Sequence, residues 1–118
     1  MNEESTLLNQ AKNSIYKMTP SIIAAKLGYN TILLHLLVMG ADFDYQSSAG
    51  WTALMYVGGN DNMQAARILV EHYGADATLR NNAGDTAAQI ARRIYNRNNR
   101  AVSIEMVKYL RRAEQAHG

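Results

Sequence analysis

The sequence predicts an all-α solenoid of stacked antiparallel helix pairs, and three observations carry that reading. The tripeptide Gly40-Ala41-Asp42 recurs as Gly74-Ala75-Asp76, 34 residues later. Gly50-Trp51-Thr52 and Gly84-Asp85-Thr86 repeat at the same offset of 34. Thr19-Pro20 opens an earlier copy, 33 residues before Thr52. A period of this length, with two apolar helical patterns between glycine-rich turns, marks a repeat protein. Each unit in such a protein buries its apolar face only by stacking on the next. The question of function moves accordingly from chemistry in a pocket to recognition on a surface.

Residues 1–18 are expected to supply an N-terminal helix or cap, through Leu7, Leu8 and Ala11. This stretch has no Gly-Ala-Asp, and Lys17 stands where a turn glycine belongs, so its register stays open. The first full repeat spans 19–51. Thr19 can cap a helix whose first turn holds Pro20, where the missing N–H costs nothing. Ile23 and Ala24 face inward, the small Ala24 and Ala25 admit a close neighbour, and Gly28 suits a left-handed end. Ile32, Leu33, Leu36 and Leu37 form the stripe of a second helix that Gly40 terminates.

The second repeat, 52–85, keeps the Thr52 entry but carries Val57-Gly58 where the first has Ala24-Ala25. Gly58 and Gly59 should weaken the end of that helix by about 1 kcal/mol each relative to alanine. Its second helix runs from Met63 to His72, with Ala65, Ala66, Leu69 and Val70 inward. Thr52 to Gly74 is 22 residues against 21 from Thr19 to Gly40, and alignment assigns the extra residue to Tyr73. The third unit, 86–112, opens with Thr86 and resumes at Ser103 to Leu110. It needs about seven extra residues around Asn96–Ala101, which either lengthen the first helix or form a longer loop. With nothing repeat-like after Arg112, this unit is expected to be a C-terminal cap and 113–118 a tail.

Thr19-Pro20 with Ala24-Ala25 and Gly28, a second helix ending in Leu36-Leu37, Gly-Ala-Asp, and the turn leading through Gly50 to Thr52 together resemble the ankyrin repeat over about residues 14–112. The resemblance implies an L-shaped stack of helix pairs with hairpin-like fingers at Phe43–Trp51 and Ala77–Asp85. It places Trp51, between the turn glycine and the capping threonine, over a concave groove, with Tyr45 and Gln46 at the base of the same finger. By the same register Lys17 or Met18, Lys26, Ser48, Ala49, Gly59, Asn60, Arg80, Asn82, Asp85 and Arg93 line the groove. Tyrosine and tryptophan bury large area at low entropic cost and dominate binding hot spots. The expected partner-binding set is Tyr45, Gln46, Ser48, Trp51, Asn60, Arg80, Asn82, Asp85 and Arg93. Trp51 can equally cover neighbouring-repeat surface, and Tyr45 can pack beneath its finger.

Composition narrows the function classes. The 118 residues make one domain, 47% hydrophobic. The absence of cysteine removes disulfides, thiolate metal sites and cysteine nucleophiles, and fits a reducing, cytoplasmic setting. Met1 to Ser5 is acidic and polar, unlike a signal peptide. The longest apolar run, around His35, is far too short to span a bilayer. His35, His72 and His117 do not assemble the three or four converging ligands a metal needs. Asp42 and Asp76 each follow Gly-Ala at a turn, where an aspartate accepts backbone N–H bonds, so structure accounts for them. Ser47, Ser48 and Thr52 have no histidine base near in sequence, and Gly58-Gly59 lacks the strand and Lys-Ser/Thr of a phosphate loop. No enzyme activity, cofactor or metal is expected.

Charge is uneven. Residues 92–118 carry seven cations against two carboxylates, a net +5, which leaves −3 on the rest. This is either a basic patch or the solvated face of a terminal repeat. If the first helix extends that far, Arg93, Arg97 and Arg100 would share one of its faces. Nucleic acid would require more cations with interleaved aromatics along one groove, and Asp85 stands in this one, so a protein partner fits better. The expected function is a non-enzymatic module, monomeric by itself, that binds another protein through groove and fingers. The alternatives are an inhibitor or immunity-type protein that occludes a partner enzyme's active site with an inserted finger, and a bare structural unit.

Overall fold

The structure, a computed structural model, describes residues 18–98 and 101–117. The three units begin alike. Thr19, Thr52 and Thr86 each accept, through Oγ1, the backbone N–H three residues on, at 3.3 Å in every case. The 33- and 34-residue spacing of these threonines is therefore the spacing of helix N-caps. In the third unit Gln89 Oε1 accepts the Thr86 N–H at 2.9 Å, which completes a capping box.

The helices are α1 (Pro20–Leu27), α2 (Asn30–Val38), α3 (Ala53–Gly59), α4 (Met63–Arg67), α5 (Ala87–Arg97) and α6 (Ile104–His117). No β-strand occurs among the described residues. Gly28, at φ +79°, ends α1 in a Schellman turn, with Gly28 N–H on the Ala25 carbonyl (3.3 Å) and Tyr29 N–H on that of Ala24 (2.9 Å). The same pair of bonds closes α2 at Gly40 and Ala41, onto Leu37 and Leu36.

Each first helix packs on its second, and α1, α3 and α5 stack in one row. Alanines make the close approach possible: Ala24, Ala25, Ala53, Ala65, Ala66, Ala87, Ala88 and Ala91 are all buried. Ile22, Ile23, Leu33, Leu54, Met55, Leu69, Met106 and Leu110 fill the remaining core. Side chains also join neighbouring units. Asn30 and Asn62 exchange amide hydrogen bonds of 2.7 and 3.1 Å at the starts of α2 and α4. Asp61, a non-glycine at φ +58°, accepts both the Ser103 N–H (3.0 Å) and its hydroxyl (2.9 Å), and Ser103 Oγ then caps α6. Tyr109 donates a 2.5 Å hydrogen bond to Glu71, tying α6 to the second unit; burial, then that carboxylate, pushes its hydroxyl pKa upward.

Several expectations change in detail. The extra residue aligned to Tyr73 is taken up as a widening of the helix itself, since α4 passes into a π-helical segment over Ile68–His72. Gly74 and Ala75 consequently reach back to Val70 and Leu69, one residue further than Gly40 and Ala41 reach. Tyr73 then lies 6.1 Å from the Phe43 ring of the preceding finger. Leu33 and Leu37 are the buried members of the α2 stripe, while Ile32 and Leu36 are half-buried. The insertion in the third unit partly lengthens the first helix, because Asn96 and Arg97 belong to α5. Asn99 and Arg100 lie outside the described residues. The last helix continues to His117, so residues 113–117 are helical rather than a tail. The expected N-terminal helix, Leu7, Leu8, Ala11 and Lys17 included, lies outside the described residues.

The glycine pair does not end α3 early, since the helix runs through both and stops at Asn60. The two glycines have different reasons. A Cβ on Gly58 would lie 2.7 Å from Leu110 Cδ1, so Gly58 is the floor on which α6 packs. A Cβ on Gly59 would meet only Ile94 at 3.4 Å and Ile90 at 3.8 Å, ordinary contacts. Gly59→Ala is therefore expected to raise stability by about 0.4–1 kcal/mol through the unfolded chain's lost freedom. Urea unfolding midpoints measure it, and a lowered midpoint would refute the assignment.

Candidate functional site

The fingers between α2 and α3 and between α4 and α5 are built by the same short-range bonds. Ser47 N–H meets the Trp51 carbonyl and Asn81 N–H that of Asp85, both at 3.0 Å, around Gly50 and Gly84 at φ +80° and +86°. Asp42 and Asp76 each accept, through Oδ1, the backbone N–H two residues on at 2.9 Å, as their turn position implied.

The two fingers are also bonded to each other. Gln46 Nε2 donates to the Gly50 carbonyl on its own finger and to the Arg80 carbonyl on the next, both at 2.9 Å. Asn82 returns the link, with its backbone N–H on the Ala49 carbonyl (3.0 Å) and Nδ2 on the Ser48 carbonyl (2.8 Å). Asn60 Nδ2 likewise donates to the Lys26 carbonyl at 3.0 Å. The partners Gln46–Arg80, Ser48–Asn82 and Lys26–Asn60 are each 34 residues apart, the period of the sequence itself. Four residues expected to meet a partner, Gln46, Ser48, Asn60 and Asn82, thus join neighbouring units instead, Ser48 through its carbonyl.

Trp51 lies half-buried against Tyr56, with ring centroids 4.7 Å apart and planes inclined by 35°. Such a tilted pair is worth about 0.5–1.5 kcal/mol beyond its burial. The tryptophan, at the end of the first unit, thus packs on the first helix of the second and stays partly exposed. Tyr56 escaped the sequence reading, yet it stands where the other units have Ile23 and Ile90, both buried. A hydroxylated ring where the other units carry isoleucine was the available signal, and burial raises its hydroxyl pKa. Tyr45 is half-buried at the finger base.

Where the second unit passes into the third, Asp85 receives both Arg93 Nη atoms, at 2.7 and 2.9 Å. The hydrogen bond from Arg93 lowers the Asp85 pKa below the usual carboxylate range. The Asp85 side chain is only 13% exposed and that of Arg93 53%, so the carboxylate orients a guanidinium that faces outward. Arg80 Nη1 donates to the Gly84 carbonyl (2.7 Å) and to Gln89 Oε1 (3.2 Å). Asp85, Gln89, Arg92, Arg93, Asn96 and Arg97 line one open depression of about 440 Å³. Sequence reasoning did not single out Gln89 or Asn96.

These residues therefore fall into three groups: a bonded finger framework, an aromatic pair, and an arginine-rich depression. Among the described residues no group of His, Asp and Glu gathers as a metal cage would require, and no helix is long and apolar enough to cross a membrane. Compared with known families, residues 21–117 match the family model described as ankyrin repeats, in three copies.

Proposed function

The chain belongs to the ankyrin-repeat family, and on that premise we propose that it is a non-enzymatic module that binds a partner protein through its finger tips and concave groove. The observation that carries the reading is the Trp51–Tyr56 pair, half-exposed beside fingers that are already bonded together. A pre-ordered aromatic loses little entropy on binding, which is what makes such residues anchors. The inter-finger bonds also favour a groove contact over a single finger inserted into an active site. The cysteine-free composition suits a reducing compartment.

Trp51→Ala is expected to weaken binding to a partner captured from the source cell by about thirtyfold or more, the 2 kcal/mol typical of an anchor. Its own unfolding free energy should fall by about 1 kcal/mol for the lost ring pair and by about 1 kcal/mol more for the half-buried surface given up. Titration calorimetry and thermal melts of the purified variant measure the two effects. A Trp51→Ala protein that binds normally would remove Trp51 from the site.

A further inference from the structure

We propose that the arginine-rich end of the groove recognises an acidic segment of the partner, with carboxylates on alternate residues of an extended strand, and that Asp85 is an internal competitor for Arg93. The inference rests on the groove reading and adds the chemistry of what the groove accepts. Helix α5 buries Ala87, Ala88, Ile90 and Ala91, and turns Gln89, Arg92, Arg93, Asn96 and Arg97 toward one depression. Among the described residues the ion pair there is Asp85–Arg93; Arg92 and Arg97 are exposed and have no carboxylate within pairing distance. Glu114 shares a second, smaller depression with Arg92 and Arg111, so the least compensated charge lies toward Arg97.

Arg93 and Arg97 are four residues apart, about 6 Å along a helix axis at 1.5 Å per residue. Alternate residues on one face of an extended chain are about 6.6 Å apart, which matches a Glu-x-Glu spacing. The bidentate contact with Asp85 engages two of the five N–H donors of Arg93, which leaves three for a ligand. The same contact neutralises part of its charge. A partner carboxylate therefore competes with Asp85 at Arg93 and meets no rival at Arg97.

A peptide fits better than a nucleic acid. A polyanion requires cations tracking along the whole groove with free aromatic faces between them. Here the first unit contributes Lys26 alone at its expected groove positions, and Trp51 and Tyr56 lie on each other.

The test is fluorescence anisotropy on the full chain with three labelled probes: an extended peptide with glutamate at alternate positions, its glutamine counterpart, and a single-stranded DNA oligonucleotide of equal charge. The glutamate peptide should bind about tenfold tighter than the glutamine peptide, with the difference shrinking as salt screens the contact. Arg92→Gln and Arg97→Gln should each lose about two- to fivefold, the value of exposed ion pairs. Lys108→Gln on α6 should change nothing, and Asp85→Asn should tighten binding severalfold. Equal affinity for both peptides, an equal loss at Lys108, or tighter binding of the oligonucleotide would overturn the inference. Weaker binding by a folded Asp85→Asn chain would assign Asp85 to ligand contact and remove its competing role. The groove reading fails separately, through an unaffected Trp51→Ala complex.

Discussion

Truncation of Leu110 to alanine is expected to lower the unfolding free energy by about 2–5 kcal/mol, the range for emptying a buried leucine site. Leu110 is 0% exposed and rests over Gly58 of the preceding unit, so its loss opens a cavity between α3 and α6. The reverse change, Gly58→Ala, places a methyl 2.7 Å from Leu110 Cδ1. Overpacking costs about 1–3 kcal/mol, against about 1 kcal/mol gained in helix propensity. A net loss of up to about 2 kcal/mol is expected. In the double variant the new methyl enters the emptied space, so the two effects should fall short of additivity by about 0.5–3 kcal/mol. Denaturant unfolding of the three proteins closes the cycle. Strict additivity would mean that the two residues do not meet.

Gly50→Ala is expected to cost about 2–5 kcal/mol, whereas Gly84→Ala should cost about 1–2 kcal/mol. Both glycines adopt the left-handed conformation, at φ +80° and +86°, and an L-residue there loses about 1–2 kcal/mol. Only Gly50 has a neighbour in the way. Its added Cβ would lie 2.7 Å from Asn82 Oδ1, 2.8 Å from Asn82 N and 3.0 Å from Asn81 C. Asn82 must then retreat and release its two bonds to the Ala49 and Ser48 carbonyls, each worth about 0.5–1.5 kcal/mol. Around Gly84 nothing lies within 4 Å of such an atom. The difference between the two variants thus isolates the contact between fingers, and equal losses would mean that the fingers contribute no mutual stability.

The parts legible in the sequence are those fixed by a few neighbouring residues. Thr19, Thr52 and Thr86 cap helices because the cap is a contact three residues long, and Gly28 and Gly40 end helices because their backbone must turn left-handed. The period located the fingers at Phe43–Trp51 and Ala77–Asp85 for the same reason. Contacts between units were illegible. Whether Gln46 faces a ligand or the Arg80 carbonyl depends on the twist from one repeat to the next, which no local pattern records. Gly58 read as a weak helix end because Leu110, 52 residues away, was not known to lie on it. The π-helical segment over Ile68–His72 was visible only as a count, one residue too many between Thr52 and Gly74. In the candidate site, register found Trp51, Asp85 and Arg93, but not Tyr56, whose pairing with Trp51 rests on side-chain direction.

Hydroxyl-radical footprinting of the chain with and without its captured partner tests most directly whether recognition occurs on the groove face. Trp51 and Tyr56 report on the proposed site, and Met39, 74% exposed at the end of α2, reports on the second helices. The expected result is that the partner slows oxidation of Trp51 and Tyr56 several-fold and leaves Met39 at its free rate. Protection of Met39 with Trp51 and Tyr56 unchanged would place the partner on the second helices and contradict the groove site.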